Sequence, residues 1–324
     1  MRLRHAHAWP SRDAFRARGA PDDMSQQRQL RAGLLFLAPN FLGFVLFTAW
    51  PVAASLLLSF SSWDLLTPPR WIGLQNFTTL LGFHQTVDGW QANDADFWKY
   101  LGNTLFLLLG LPINIIGSLF LASILSQKLR FTYVYRVIYY VPHLVSGVAI
   151  FYLWRWMYNP DFGLINGILA TGGINGPNWL LNYHWAKPAL ILMGTWTAIG
   201  GANLILYLAA LTNVPVELYE AASIDGAGAW QKFRAVTWPA VRPVTFFIIT
   251  TALIGGFQGG FEAAYIMTNG GPFGATTTLG YYIYERAYVA FEMGYASAVA
   301  WIIFLLVLVV TVFNWRRTGG GGLH

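Results

Sequence analysis

Residues 215–243 read PVELYEAASIDGAGAWQKFRAVTWPAVRP, a stretch with polar residues that separates two strongly apolar runs. Glu217 and Glu220 fall in the first turns of a predicted helix, where the helix dipole favours negative charge. Asp225 and Gly226 are predicted to end this helix, because glycine readily adopts the left-handed conformation. The first half of the stretch therefore predicts a helix followed by a sharp turn.

The second half of the stretch predicts another short helical segment. Trp230 and Phe233 lie about one turn apart on it. Pro239 and Pro243 favour the start of the next apolar helix, since proline is tolerated in a first helical turn. Together the segments predict a compact helix–turn–helix, called the knob below. The small residues 221–222 at its tip would let another protein's backbone approach closely.

The composition of the chain is typical of a membrane protein. Of its 324 residues, 56% are hydrophobic and only 10% are charged, whereas soluble domains carry about 25% charged residues. The absence of cysteine excludes disulfides and thiolate chemistry. The net charge of +6 is spread over tails and loops, which favours anchoring at a membrane over binding to nucleic acid.

Six apolar runs each reach the roughly 20 residues that a membrane-spanning helix requires. They are residues 33–59, 98–126, 135–158, 187–211, 243–267 and 294–315. Prolines 39, 51 and 112 lie inside runs and are predicted to kink helices, because neighbouring helices can satisfy the freed backbone groups. The first run is too long for the apolar region of about 7–15 residues in a cleaved signal.

The basic residues alternate between the two sides of the predicted bundle. Residues 1–32 contain seven arginines and three aspartates. The other basic positions on this side are Lys128, Arg130, Arg136, Lys232, Arg234, Arg242, Arg316 and Arg317. The loops on the opposite side carry few basic residues. These are Arg70 and Arg286, and there is none between 159 and 186. The positive-inside rule therefore places both termini and the knob in the cytoplasm.

The knob resembles the EAA loop of ABC-importer permeases, and in particular the carbohydrate-uptake subfamily that includes the maltose permeases. The residues that carry the resemblance are Pro215, Glu217, Leu218, Tyr219, Glu220, Ala221, Ala222, Ile224, Asp225, Gly226, Ala227, Trp230, Gln231, Phe233, Thr237, Pro239 and Pro243. Trp238 departs from the aliphatic residue that is usual there. The loops after the first, third and fifth runs are also similar to the family's outer loops: WIGLQNF (71–77), NPDFGLIN (159–166) and MTNGGPFGATT (267–277). Asn103-Thr104 opens the second helix as it does in relatives.

The resemblance implies an all-α, polytopic fold with six transmembrane helices, as in maltose permease-like type I importers. Residues 1–32 are then a cytoplasmic N-terminal tail, and 33–315 form the permease domain. Residues 213–242 form the coupling loop of that domain, and 316–324 form a cytoplasmic C-terminal tail. The implied setting is the bacterial inner membrane, crossed several times, with both ends inside.

The resemblance also assigns roles to residues of the knob. The implied ATPase-coupling residues are Glu217, Glu220, Ala221, Ala222, Asp225, Gly226, Ala227, Trp230 and Phe233. The implied partners are a second homologous permease, two ABC ATPase subunits that hold ATP and Mg, and a solute-binding protein outside the membrane. The chain itself is then a non-catalytic subunit without a bound cofactor, and alternating access driven by ATP would move the substrate.

The implied substrate path lies in the helices that precede and follow the knob. The candidate residues are Thr195, Ile199, Ala202, Ala252, Gly255, Gly256 and Gly259. Gly255, Gly256, Gly259 and Gly260 are spaced to share one side of a helix. That glycine face either packs closely against another helix or widens a cavity for a large substrate. We expect the substrate to be a carbohydrate, either an oligosaccharide or an acidic glycan such as alginate, and maltodextrin and glycerol-phosphate types stay open.

Few ionisable residues lie within the predicted helices. Arg155 and Glu262 are each about nineteen residues along their runs, hence about 28 Å from the cytoplasmic end and near the outer interface. Either they snorkel to the interface or they face the path, since charge in the membrane is costly. His143 is predicted to be a structural residue within the bundle.

No catalytic constellation emerges from the sequence. There is no GxxxxGK[ST] phosphate loop and no His/Asp/Glu cluster with metal-ligand spacing. Two alternatives remain open, a polytopic membrane transferase and a secondary transporter. The first needs acids to hold a metal-diphosphate, and Asp88, Asp94 and Asp96 form the one acidic cluster, on the predicted outer side. The second needs a ladder of intramembrane acids, which is missing.

Overall fold

A computed structural model gives the fold of most of the chain. It describes the following residues: 23–87, 89–127 and 130–318. The predictions for residues 1–22, Asp88, Lys128 and 319–324 lie outside the described residues. The chain divides into two compact units, one that ends at Leu57 and one that begins at Leu58, and each is described by itself.

The first unit is helical. Helix α1 (Asp23–Phe44) is followed by a π-helical turn (Val45–Ala49) and by α2 (Trp50–Ser59), which continues into the second unit. The helix already includes the last ten residues of the predicted tail. The π-helical turn directly precedes Pro51, whose ring would clash with the carbonyl four residues earlier in a regular α-helix. A widened turn at that point accommodates the proline.

The second unit contains helices and two short hairpins. The hairpin strands are β1 (Ser61–Ser62), β2 (Arg70–Trp71), β3 (Phe83–Thr86) and β4 (Gly89–Ala92). The helices are α3 (Gln75–Leu81), α4 (Ala95–Leu107), α5 (Gly110–Leu125), α6 (Thr132–Leu144), α7 (Gly147–Met157), α8 (Leu164–Thr171), α9 (Ala186–Ile199), α10 (Ala202–Thr212), α11 (Val216–Ile224), α12 (Ala229–Lys232), α13 (Trp238–Gln258), α14 (Phe261–Ala263), α15 (Leu279–Tyr284) and α16 (Met293–Thr318). Further π-helical turns are Phe233–Thr237, Ala264–Thr268 and Glu285–Val289.

Within the described ranges, five helical stretches are long and apolar enough to cross a membrane, and a bent helix pair brings the number to six if the pair is one span. We number them as span one (Arg31–Ser59), span two (Ala95–Leu125), span three (Thr132–Leu144 with Gly147–Met157), span four (Ala186–Thr212), span five (Ala229–Gln258) and span six (Met293–Arg316). The helical, polytopic fold is confirmed. The two hairpins were not predicted.

The predicted limits of the fifth run, 243–267, are wrong. Span five ends at Gln258 because Gly259 is extended (φ −88°, ψ −166°) and Gly260 has φ +84°. A Cβ at Gly260 would lie 2.8 Å from Cγ2 of Thr278, so glycine fits this turn by both its conformation and its size. The chain then continues as α14 in a new direction.

Three apolar clusters hold the helices of the second unit together. The first joins α4, α13, α15 and α16 and includes the buried Phe97 and Leu279. The second joins spans two, four and five around Tyr207 and Ile248. The third joins α7, α9 and the turn after α14 around Trp154. Between membrane-spanning helices such contacts act through close packing, because lipid tails are as apolar as the buried side chains.

The first loop signature, residues 71–77, holds the hairpin region against the end of α2. Within residues 71–77, Asn76 is buried, and its Nδ2 donates to the carbonyl oxygens of Ser59 at 2.8 Å and Ser61 at 3.0 Å. The β1–β2 hairpin pairs Ser61 with Trp71. The asparagine therefore closes this loop by replacing water on two buried backbone acceptors.

The Asn103-Thr104 pair anchors the other outer loop. Asn103 Nδ2 donates to the carbonyl oxygens of Gly274 at 2.8 Å and Thr277 at 3.0 Å. Thr104 Oγ1 accepts a 3.0 Å hydrogen bond from the backbone N–H of Leu279. Both side chains are buried, so the start of span two fixes the chain between spans five and six.

Candidate functional site

The knob ends its first helix with a left-handed glycine, as predicted. Gly226 has φ +75°. Its N–H donates to the carbonyl of Ser223 at 3.1 Å, and the N–H of Ala227 donates to that of Ala222 at 2.9 Å. This pair of hydrogen bonds is the Schellman motif. No atom lies within 4 Å of a Cβ added at Gly226, so backbone conformation and not space requires the glycine.

The predicted coupling residues lie on the surface of the knob. All are exposed or half-buried in this chain: Glu217, Glu220, Ala221, Ala222, Asp225, Gly226, Ala227, Trp230 and Phe233. The Trp230 side chain is 70% exposed and Ile224 is 86% exposed. Trp230 stacks on Phe233 with 5.3 Å between ring centroids. Exposed apolar side chains together with free carboxylates form a surface suited to another protein.

A single continuous helix connects the knob to span five, which corrects the predicted start at Pro243. Span five runs from Ala229 to Gln258 without a break. A π-helical turn lies directly before Trp238 and Pro239, and this widened turn lets the helix pass the proline. Tyr219 Oη and Thr237 Oγ1 are 3.0 Å apart. The second half of the knob and span five therefore form one continuous helix.

Spans three and four are both interrupted, and their interruptions lie close together in the fold. Span three bends by 96° between Leu144 and Gly147, and span four breaks between Ile199 and Ala202. A Cβ at Gly200 would lie 1.9 Å from the carbonyl oxygen of Tyr139, and one at Gly201 would lie 2.9 Å from Nδ1 of His143. Only a glycine at position 200 lets the two backbones approach this closely, so the break of span four lies against the part of α6 that precedes the bend of span three.

The residues that follow the end of span five reach the same region. Glu262 Oε2 lies 3.6 Å from the position of a Cβ at Gly147, in the first turn of α7, where the helix dipole favours a carboxylate. Arg155 Nη1 donates to the carbonyl of Ile266 at 3.2 Å. His143 and Glu262 are exposed in this chain. We call residues 143–147, 200–201 and 259–262 the helix-break junction.

The helical counting behind the predicted depths of Arg155 and Glu262 is wrong, and the depths themselves stay predictions. Both depths assumed an unbroken helix counted from its cytoplasmic end. Span three turns by 96° before Arg155, and span five ends before Glu262. His143, predicted to be structural, lies beside Gly201 at the junction and is exposed.

Some of the predicted path residues pack against neighbouring helices, and others face open space. Ile199 packs on Gly117, where a Cβ would lie 2.6 Å from Ile199 Cδ1. Among the described residues, none is a hydrogen-bond partner of the enclosed Thr195 Oγ1. Gly256 faces Leu108, whose Cδ2 would lie 2.2 Å from an added Cβ, so packing of spans five and two explains this glycine. A Cβ at Gly255, by contrast, would meet no atom within 4 Å.

The remaining predicted path residues also differ in their surroundings. Ala202 is exposed and Ala252 is half-buried. Gly259 lies outside the helix, and Gly260 has a positive φ. The expectation that four glycines share one face of a single helix is therefore wrong. The open positions are Ala202 on span four and Gly255 on span five.

A polar cavity of about 740 Å³ lies beside the first hairpin, among side chains of the outer loops. Asp94 on its wall is buried and accepts hydrogen bonds from Tyr282 at 2.5 Å and from Tyr295. Burial and the hydrogen bond to Asp94 raise the pKa of Tyr282. Arg286 Nη1 pairs with Glu292 Oε2 at 3.0 Å. This network ties the loop before span two to the loop before span six.

The acids of the transferase alternative do not come together as a site. Asp94 serves the tyrosine network, Asp96 is exposed, and Asp88 lies outside the described residues. Within the described part of the chain, no group of three His, Asp or Glu side chains is placed to hold a metal ion.

A comparison with protein families decides between an importer permease, a membrane transferase and a secondary transporter. Residues 114–317 match the family described as "Binding-protein-dependent transport system inner membrane component". The chain belongs to this family. The resemblance to ABC-importer permeases is thereby confirmed, and the membrane-bound, multi-pass character with it.

Known relatives agree over almost their whole length. A "Probable ABC transporter permease protein YesP" of Bacillus subtilis (strain 168) is 37% identical over 306 residues, 92% of this chain and 94% of that protein. The "Arabinooligosaccharides transport system permease protein AraP" of the same strain is 32% identical over 291 residues, 89% and 88% of the two chains.

Solved structures share the fold. One chain from a crystal structure of "a bacterial ABC transporter involved in the import of the acidic polysaccharide alginate" is 25% identical, with a TM-score of 0.74. The match covers 91% of this chain and 96% of that chain. The permease fold of these transporters is thus the fold described above.

Proposed function

We propose that this chain forms half of the membrane channel of an importer that takes up a neutral oligosaccharide from a solute-binding protein. The observation that carries the proposal is the helix-break junction. Transporter sites commonly lie near mid-membrane, where discontinuous helices expose helix ends to the substrate. Here the break of span four contacts Tyr139 and His143, which precede the bend of span three, and Glu262 after span five lies close to the first turn of α7.

The chemistry of the junction suits sugar hydroxyl groups. His143 and the Glu262 carboxylate are exposed, and the backbone at the breaks leaves N–H and C=O groups outside regular helices. Donors and acceptors of this kind bind polyols. Gly255 and Ala202 leave open space beside them, which gives room for a substrate larger than a monosaccharide.

An acidic glycan is the second candidate. It is favoured by the structural similarity to an alginate importer and by Arg155, a cation on the helix that follows the bend of span three. The guanidinium of Arg155, however, already donates to a backbone carbonyl, and Glu262 places a negative charge on the exposed side. Because like charges repel strongly where water is scarce, a uronate would pass this point less readily than a neutral sugar.

The partners follow from the family and from the knob. We infer a second permease, two ATPase subunits that hold ATP and Mg, and a binding protein on the outer side of the inner membrane. ATP binding would close the ATPases, the knob would move with them, and the rod of span five would shift the junction between inward and outward access. The chain itself would contribute no catalytic group and bind no cofactor, and residues 1–32 and 316–324 would be cytoplasmic tails.

Uptake into proteoliposomes tests the proposal. The assembled complex with its binding protein should import a labelled neutral oligosaccharide, and Glu262→Gln should shift selectivity towards an acidic oligosaccharide of equal length. Glu292→Gln, which removes a carboxylate from the outer loops, is the matched control and should leave the ratio unchanged. An unaltered ratio in Glu262→Gln would place the path elsewhere, and preferential uptake of the acidic sugar by the native complex would favour the second candidate.

A further inference from the structure

Two lysines at the start of spans two and four form an unusual pair. Lys187 Nζ donates to Asn103 Oδ1 at 3.0 Å, and Lys99 Nζ donates to the carbonyl of Phe273 at 2.6 Å. Asn103 is also bonded to Gly274, and a Cβ at Gly274 would lie 3.2 Å from Lys99 Nζ. Both ammonium groups therefore border the same short segment of the outer loop.

Within the described part of the chain, neither lysine has a carboxylate oxygen within 4.0 Å of its ammonium group. Besides Asn103, the neighbours of Lys187 include two aromatic rings. Lys187 Nζ lies 5.0 Å from the ring centroid of Phe106 and 5.7 Å from that of Tyr183. The like charge of Lys99 acts on Lys187. Lys187 is half-buried and Lys99 is exposed, and two neighbouring like charges are unfavourable unless an anion joins them.

An exposed apolar stripe begins directly beside Lys187. Its residues follow one face of span two at spacings of three and four. They are Phe106 (37% exposed), Leu109 (59%), Ile113 (53%), Ile116 (68%) and Phe120 (66%). From residue 106 to residue 120 the stripe extends about 21 Å, more than half the roughly 30 Å thickness of a bilayer's hydrocarbon core.

We propose that Lys99 and Lys187 bind the headgroup phosphate of an anionic phospholipid whose acyl chain lies along this stripe. A cationic pair above an apolar track matches an amphiphile with a negative head. The lysines stand at the ends of spans two and four that are remote from the knob, so the lipid belongs to the leaflet opposite the knob. The proposal does not depend on which substrate the importer carries.

The site also has a structural consequence. Lys187 holds Asn103, and Asn103 holds the loop between spans five and six through two carbonyl groups. A bound phosphate would neutralise the repulsion between the lysines and keep this arrangement in place. We therefore expect the lipid to stabilise the outer loop as well as to bind there.

Lipid titration followed by native mass spectrometry tests the site. The purified full-length chain, with its partner subunits and without added lipid, is titrated with phosphatidylglycerol or with zwitterionic phosphatidylcholine. The native protein should retain phosphatidylglycerol preferentially. The double variant Lys99→Gln/Lys187→Gln should retain it about thirtyfold less, the combined effect of two basic residues near a lipid surface.

Controls separate this site from general attraction. Arg70→Gln removes an exposed outer charge and should bind lipid as the native protein does. Lys187→Arg keeps the charge and should retain at least part of the preference. If the double variant melts before titration, Lys99→Gln alone, which leaves the bond to Asn103 intact, should still show a reduced preference.

Two results would overturn the proposal. The first is equal retention of phosphatidylglycerol by the double variant and by Arg70→Gln. The second is displacement of the lipid by a short uronate oligosaccharide, since the lysine pair would then serve an acidic substrate and not a phospholipid.

Discussion

Gly226 shows how one backbone conformation can determine coupling. Its φ of +75° closes the Schellman motif of the knob, and a β-branched residue there costs about 1–2 kcal/mol or more. We predict that Gly226→Val abolishes transport and ligand-stimulated ATP hydrolysis while the helices still insert. Gly228→Val is the matched control, since Gly228 has φ −70°. Full stimulation in Gly226→Val would contradict the prediction.

Neighbouring glycines of span five should respond in opposite ways to the same substitution. A Cβ at Gly256 would overlap Leu108, whereas one at Gly255 would meet open space. We expect Gly256→Trp to separate spans five and two and to abolish copurification of the subunits. Gly255→Trp should leave the complex assembled but block uptake. Copurification and uptake measured on both variants check this, and normal uptake by assembled Gly255→Trp would exclude that position from the path.

Glu285 should make the outer loops less stable at neutral pH. Burial, together with the nearby Asp96, raises its pKa above the usual value of 4.5. An acid whose pKa is raised on folding binds its proton more tightly in the folded state, so the folded state loses stability as pH rises through and above 4.5. Glu285→Gln should therefore raise the melting temperature at pH 7 and leave it nearly unchanged at pH 4. A gain that is equal at both pH values would argue against this cause.

At the scale of elements, close contact between spans three and four depends on the break at Gly200. A Cβ there would lie 1.9 Å from a backbone oxygen of span three, which a backbone cannot avoid without moving. We predict that Gly200→Ala lowers the melting temperature and the uptake rate. Gly194→Ala, on the same span and with no atom near an added Cβ, should be neutral or more stable by up to about 1 kcal/mol. Equal behaviour of the two variants would refute the role of the break.

At the scale of the whole molecule, the orientation of the chain remains a prediction from its basic residues. The chain contains no cysteine, so a single introduced thiol reports one position. Ala229→Cys, at the start of span five on the knob, should react with a membrane-impermeant maleimide only after the membrane is opened. Leu66→Cys, in an exposed outer loop, should react in intact cells. Labelling of position 229 in intact cells would reverse the topology.

The sequence by itself determined which segments cross the membrane and what the knob looks like. Long apolar runs and a left-handed glycine are local signals, because a spanning helix satisfies its own backbone and a Schellman turn needs few residues. The tertiary structure alone decided where the helices break and which breaks meet. Gly200, Gly201, Gly259 and Gly260 are visible as glycine pairs in apolar runs, yet a pair inside a run fits helix packing as well as it fits a break. Only the contacts of Gly200 with span three and of Gly260 with Thr278 distinguish a helix break from helix packing. Whether a neighbouring segment comes close to a glycine depends on the fold and not on the glycine itself.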